Sequence, residues 1–269
     1  MNKILLIGCG NMGSALLGAW LKKTTNHFTV VDPKQYLKLR KKYKKIHILK
    51  DIDQIKSINK FDIVILAIKP QISDLIMKKI SNFSYKKNTL FISVVAGKKI
   101  SFYDNFLPLK NQLVRAMPNL PAIVEESMSC LVANKYLSKS NKNKVNLLFS
   151  KAGKVLWLKN EKELDKITAI SGSGPAYFYL FIEYFEKACQ KLGFNESISK
   201  NLVFQTAFGS LKLLNADKRS AQDLRKNIAI KGGTTEAALK ILMKNNDFNK
   251  IFSKAIIQAH KKAIILGKK

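Results

Sequence analysis

Apolar residues along this chain fall into short runs separated by amphipathic stretches up to residue 158. Runs at 3–8, 28–32, 45–49, 62–68, 89–95 and 112–117 are apolar at consecutive positions, the pattern of strands buried on both faces. Stretches 11–23, 34–43 and 71–81 between them carry helical spacing. Alternating strands and helices predict a parallel sheet covered on both sides. Runs 128–134 and 154–158 flank a helical stretch at 138–150 and are expected to extend that sheet. Beyond residue 160 the strand pattern stops, and helical periodicity takes over at 174–193, 196–215, 219–226, 234–244 and 247–266. Two domains are therefore expected, residues 1–160 and 161–269. The stretch AYFYLFIEYFEKACQKLG (176–193) is apolar around most of its circumference. Such a helix needs cover on every side, and a helical homodimer interface is the expected cover.

Candidate chemistry begins where the first strand meets the first helix, at Gly8-x-Gly10-x-x-Gly13. In that context the first glycine permits a tight turn and the second lets a pyrophosphate approach the backbone. The third lets helix and strand pack closely. The N–H groups of residues 10–13, Asn11 and Met12 included, then face the phosphates at the positive end of the helix. Asp32 ends the second strand, where an acid accepts hydrogen bonds from an adenine ribose. A carboxylate there repels a 2′-phosphate, so NADH is expected ahead of NADPH, with Lys34 softening the preference. The first domain is thus expected to be a Rossmann-type doubly wound α/β sheet. Segments 66–71, with Ala67, Ile68, Lys69 and Pro70, and 93–99, with Ala96 and Gly97, leave strands at the sheet's carboxyl edge, where open α/β sheets bind ligands.

Composition narrows the partners. The formal net charge is +30, yet only Arg40, Arg115, Arg219 and Arg225 among 48 basic residues are arginine. Arginine is favoured for bidentate reading of phosphates and bases. The lysines are spread along the chain, which indicates solvated faces and no specific nucleic-acid partner. No run of about 18 apolar residues is present, so no membrane span is expected. Cys9, Cys130 and Cys189 suggest no disulfide framework, which fits a cytoplasmic protein. His27, His47 and His260 lie far apart, and no metal site is expected.

Residues 227–242, NIAIKGGTTEAALKIL, place Gly232-Gly233 as a turn, with Thr234 or Thr235 expected to start a helix. Exposed N–H groups beside hydroxyls also suit an anion. SGSGPAY (171–177) has a local reading as a loop before the long helix, with Pro175 in its first turn.

Taken in order, GCGNMG (8–13), AIKP (67–70), RAMPN (115–119), SGSGPAY and GGTT (232–235) resemble the pyrroline-5-carboxylate reductase family over essentially the whole chain. That family transfers a hydride from NADPH or NADH to L-1-pyrroline-5-carboxylate, giving L-proline in the last step of its biosynthesis. The resemblance implies a Rossmann domain followed by an all-helical dimerisation domain, assembled as a homodimer or a ring of dimers. The active site would then lie between the Rossmann edge and the partner's helices. It further implies that Thr235 hydrogen-bonds the substrate, that Asn227 contacts the cofactor, and that Glu161 lies near the substrate. Ala67–Pro70 and Ala96-Gly97 would line the cofactor. With that assignment, the N–H groups of Gly233, Thr234 and Thr235 are expected to hold the substrate carboxylate, and the Thr235 hydroxyl to meet the ring nitrogen.

Two stretches depart from the family pattern. Ile230-Lys231 stands where Ser-Pro is usual, removing one hydroxyl from the substrate side, and Leu120 stands where threonine is usual. An imine reductase or a β-hydroxyacid dehydrogenase shares the general plan. The second class needs a lysine at the active end of the long helix, whereas Lys187 lies far along it. A nucleotide-binding regulator of nucleic acid would need a clustered arginine or aromatic face.

Overall fold

Eight strands form one sheet in the computed structural model, in which residues 1–267 are described. The strands are β1 (Lys3–Ile7), β2 (His27–Val31), β3 (His47–Leu49), β4 (Ile63–Leu66), β5 (Leu90–Ser93), β6 (Gln112–Met117), β7 (Ser127–Ala133) and β8 (Gly153–Trp157). Their order across the sheet is β3-β2-β1-β4-β5-β6-β7-β8. The order reverses between β1 and β4, so a crevice opens beyond their carboxyl ends.

Side-chain alternation builds a core on each face. Ile4, Leu6, Ile63 and Ile65 pack with Trp20, Phe28 and Phe149 on one side. Leu5, Ile7, Val64 and Leu66 pack with Phe91, Met77 and Tyr103 on the other. Trp20 stacks on Phe28 at 6.0 Å and meets the edge of Phe149 at 5.8 Å. Each such side chain contributes about 1.5–3 kcal/mol by burial. The helices covering these faces are α1 (Asn11–Lys23), α2 (Tyr36–Lys42), α3 (Ser73–Ser81), α4 (Ile100–Asp104) and α5 (Lys139–Phe149). Two short helices, α2 and α4, end or begin where lysine-rich, weakly apolar sequence gives the periodicity little to bury.

One expectation of the sequence is corrected here. The sheet is mixed, because β7 runs antiparallel to β6 while β8 runs parallel to β7. Residues 118–126 separate β6 from β7, including a 3₁₀ turn at Leu120–Val124. A parallel crossover needs a dozen or more residues, so this connection can only fold back.

Two compact units are present, Met1–Ser173 with the chain from Ala259 onward, and Gly174–Gln258. The first contains the sheet, α6 (Glu163–Ile167) and the last turns of α11 (Asp247–Leu266). The second holds α7 (Gly174–Lys191), α8 (Glu196–Ala216), α9 (Ala221–Ile228), α10 (Thr234–Leu242) and the rest of α11. A second correction concerns SGSGPAY, which is not a loop. Thr168–Gly172 forms a π turn leading from α6 into α7. Ser173 N–H donates to the Thr168 carbonyl at 2.9 Å, the five-residue step of a π turn. A Cβ on Gly172 would lie 2.6 Å from the Met117 methyl, so that flexible side chain packs directly onto the turn.

Candidate active site

The glycine loop divides its labour among three residues. Gly8 has φ +89° and lies so close to β4's end that a Cβ would meet the Ala67 carbonyl oxygen at 2.5 Å. A Cβ on Gly13 would meet the Gly8 carbonyl oxygen at 2.6 Å, so that glycine sets the approach of α1 to β1. Gly10 has nothing within 4 Å of its Cβ position. It is the N-cap of α1 and carries no side-chain cap, leaving the first helical N–H groups of Asn11, Met12 and Gly13 open for an anion. The loop therefore fits a dinucleotide pyrophosphate.

Asp32 lies behind this loop, 8% exposed. Its Oδ2 accepts from Cys9 N–H at 2.7 Å, and its Oδ1 from Lys34 and Gln35 N–H at 2.9 and 2.8 Å. The carboxylate thus ties the glycine loop to the turn that follows β2. Burial, with the Asp32 charge second, pushes the Cys9 thiol up to about 12, so it stays protonated and inert.

Ala67 and Ile68 are half-buried beside Gly8, Lys69 is exposed, and Pro70 begins a 3₁₀ turn ahead of α3. After β5 the chain runs through Ala96, exposed, and Gly97, which has φ +79°. A Cβ on Gly97 would lie 2.8 Å from the Leu266 carbonyl oxygen at the end of α11. These segments sit at neighbouring strand ends, because β4 pairs with both β1 and β5.

Glu161 faces inward. Its Oε1 accepts from Ile100 N–H at 2.7 Å and from the Arg115 guanidinium on β6 at 2.5 Å. Sequence reasoning quoted RAMPN without assigning Arg115 or Asn119 a partner. Arg115 is 6% exposed, which leaves its charge in need of a buried anion. Asn119 receives Met128 N–H at 2.9 Å and donates to the Ser171 carbonyl at 3.1 Å, joining that motif to SGSGPAY. Only the low arginine count hinted that Arg115 was special.

The other sequence-selected residues lie in the second unit. Asn227 is exposed on α9, and Gly233, Thr234 and Thr235 lie at the start of α10. Gly233, not a threonine, is the N-cap, and no side chain caps the helix there. Ile230 C=O accepts from Gly233 N–H at 3.0 Å across Lys231 and Gly232, the latter with φ +78°. That is a type II turn, which needs glycine at its third residue. Glu236 reaches back to accept from Gly232 N–H at 2.8 Å. Gly233 N–H is therefore engaged in the turn, while the Thr234 and Thr235 N–H groups, in the first helical turn, have no intrahelical acceptor.

A doubly wound sheet with an open phosphate loop at its switch point defines a dinucleotide-binding protein. Comparison with known proteins narrows the class. Residues 3–97 match the family "NADP oxidoreductase coenzyme F420-dependent", and residues 161–266 match "Pyrroline-5-carboxylate reductase dimerisation". The pyrroline-5-carboxylate reductase of Pasteurella multocida is 35% identical over 245 residues, which cover 89% of this chain and 88% of that protein. The crystal structure of the Plasmodium falciparum pyrroline carboxylate reductase with NADP bound superposes with a TM-score of 0.87 at 31% identity, covering 99% of this chain and 98% of that one. A Coxiella burnetii pyrroline-5-carboxylate reductase gives a TM-score of 0.88 at 30% identity, covering 100% and 99%. The chain belongs to the pyrroline-5-carboxylate reductase family.

Proposed function

We propose that the chain reduces L-1-pyrroline-5-carboxylate to L-proline, the last step of proline biosynthesis, with its nucleotide on the Gly8–Gly13 loop and its substrate at the start of α10. The observation that carries the reading is the open loop at Gly10 in a chain whose following residues match a reductase dimerisation domain. When bound, the nicotinamide supplies a hydride to the imine carbon.

The protein's own residues orient and stabilise. Asn11, Met12 and Gly13 N–H groups would hold the pyrophosphate, Asp32 fixes the loop to the turn that follows β2, and Ala67–Pro70, Ala96 and Gly97 would line the cofactor. Asn227 gives a further cofactor contact. The Thr234 and Thr235 N–H groups, at the positive end of α10, receive the substrate carboxylate. The C=N electron pair moves to nitrogen as hydride arrives, and the Thr235 hydroxyl hydrogen-bonds that nitrogen. A cyclic imine is basic enough to carry its own proton near neutral pH, so no side chain with a shifted pKa is required. Orientation is the main contribution, reaching about 7–11 kcal/mol in well-aligned systems.

NADH and NADPH are both proposed as donors, NADH favoured by the Asp32 charge and NADPH by the exposed Lys34. The proposed functional boundary lies near residue 160, where the dimerisation match begins. A homodimer or ring of dimers is supported by that match and by the uncovered aromatic residues of α7. A cytoplasmic setting accords with three free cysteines, and no described helix is long and apolar enough to cross a membrane. The test is oxidation of NADH and of NADPH dependent on pyrroline-5-carboxylate. Absence of turnover with both refutes the assignment. Thr235→Ala is expected to lower kcat by at least about a hundredfold with the nucleotide Kd unchanged; retained kcat removes Thr235 from this role.

A further inference from the structure

The segment between β5 and α4, residues 94–99, is closed at both ends by polar groups that touch neither nucleotide nor substrate in the reading above. At its start, Ser93 Oγ accepts from Val95 N–H at 3.2 Å and is hydrogen-bonded to the Tyr103 hydroxyl at 2.5 Å. Both residues are buried, Ser93 at 1% and Tyr103 at 0% exposure. Tyr103 belongs to α4, so the hydroxyl pair draws the helix back onto the strand that precedes the segment. At the other end Lys99 is the N-cap of α4 and supplies no side-chain acceptor. The first N–H of the helix, at Ile100, is satisfied by Glu161 from 61 residues away. Glu161 is in turn held by Arg115, which rises from β6 beside β5.

Glu161 and Arg115 therefore work as one latch. The guanidinium is nearly buried and fixes the carboxylate; the carboxylate fixes α4; and α4, through Tyr103, fixes the exit from β5. The enclosed backbone has further supports in the Val94 N–H, which donates to the Leu66 carbonyl at 2.9 Å, the Lys98–Asp74 ion pair at 3.2 Å and the close packing of Gly97 on Leu266. An ion pair placed only for stability would not also need to cap a five-residue helix bordering the nucleotide crevice. We infer that Glu161 is a positioning residue for the cofactor: paired with Arg115, it sets residues 95–99 in their nucleotide-lining conformation through the Ile100 N–H, without touching the substrate. The inference deepens the proposed function and assigns Glu161 a different task from the substrate contact that family resemblance implies.

The two roles separate by measurement. Nucleotide binding to the full-length protein is titrated without the imine, and steady-state constants are then taken for both reactants. Glu161→Ala is expected to weaken NADH or NADPH binding about tenfold, as a displaced positioning segment does. The imine KM at saturating nucleotide is expected to stay within about twofold of the parent. Glu161→Gln keeps an acceptor for Ile100 N–H and is expected to recover most of the nucleotide affinity. Tyr103→Phe removes only the hydroxyl at the other end of the segment and is expected to weaken nucleotide binding in the same direction, which gives a reading even where Glu161→Ala fails to fold. Unchanged nucleotide affinity in Tyr103→Phe and in any folded Glu161→Ala overturns the latch. A raised imine KM with unchanged nucleotide affinity in a Glu161 variant overturns it in favour of a substrate contact. Failure of the parent to turn over pyrroline-5-carboxylate would strike the proposed reaction, while the nucleotide titrations would still read the latch.

Discussion

At the scale of single residues, the three loop glycines have different physical reasons to lack a side chain, and the difference is measurable. Gly13→Ala pushes a methyl to 2.6 Å from the Gly8 carbonyl oxygen, an overpacking that costs about 1–3 kcal/mol. Gly10 has a negative φ of −67° and an open Cβ position. Gly10→Ala is therefore expected to leave the melting temperature near the parent's while weakening nucleotide binding about tenfold or more, because its methyl occupies the phosphate's approach. Melting curves and nucleotide titrations of the two variants check this; equal loss of stability in both would contradict it. The glycines are legible in the sequence because turn conformation at Gly8, close packing at Gly13 and phosphate approach at Gly10 each exclude a side chain at a fixed spacing. Asp32 was legible as an acid in the right place, but its three backbone donors were not. Hydrogen bonds formed by the loop's return on itself leave no mark in the spacing of residues. The pairing of Arg115 with Glu161 was hidden for the same reason, as it links distant segments.

At the scale of elements, helix bodies were easier to read than their ends. The apolar period located α1, α8 and α11 closely, since an amphipathic stripe repeats over several turns. α10 starts at Thr234, within the expected pair, but its N-cap is not a threonine: Gly233 adopts the extended N-cap conformation. Glu236, at the third helical position, reaches back past the N-cap to accept from Gly232 N–H. That contact has a pH signature. The Gly232 N–H, with Lys240 adding to it, holds the Glu236 carboxyl below its ordinary 4.5. A carboxyl depressed in the folded state adds stability above its unfolded pKa and loses it as pH falls through the folded value. The stability difference between the parent and Glu236→Gln is thus expected at neutral pH and should disappear as the solution is acidified below 4.5. A difference that persists unchanged in acid would mean that the charge plays no part. The direction of β7 was unreadable from periodicity, because an apolar strand has the same pattern whichever way it runs. The short 118–126 connection carried the only clue.

At the scale of the whole molecule, the two units differ in how their apolar residues are covered. The sheet buries the large apolar side chains of β1 to β7 almost completely, with Leu156 on the edge strand β8 left 43% exposed. On α7, by contrast, Phe178 is 61% exposed, Tyr179 59%, Phe181 53% and Tyr184 60%. On α8, Phe204 is 61% exposed. Contiguous apolar surface of this kind is rare on soluble monomers and marks an interaction face. The sequence signalled it through a helix apolar on nearly all sides. It gave no sign that the last turns of α11 pack with the first unit against Gly97, since the helical period continues unchanged along α11. A second copy is the cover proposed here, in agreement with the dimerisation match over 161–266. Light scattering is expected to find a dimer or a larger even assembly. Folding coupled to association makes the melting temperature rise with protein concentration. Phe181→Lys with Phe185→Lys places two charges on rings that lie 6.0 Å apart on one helix face, where desolvating them in an interface is costly. That double variant is expected to shift the assembly toward monomer and to abolish reduction of the imine. Nucleotide binding should survive, because the glycine loop and its supports belong to the sheet unit. A monomer with full reductase activity would show that one chain completes the site alone.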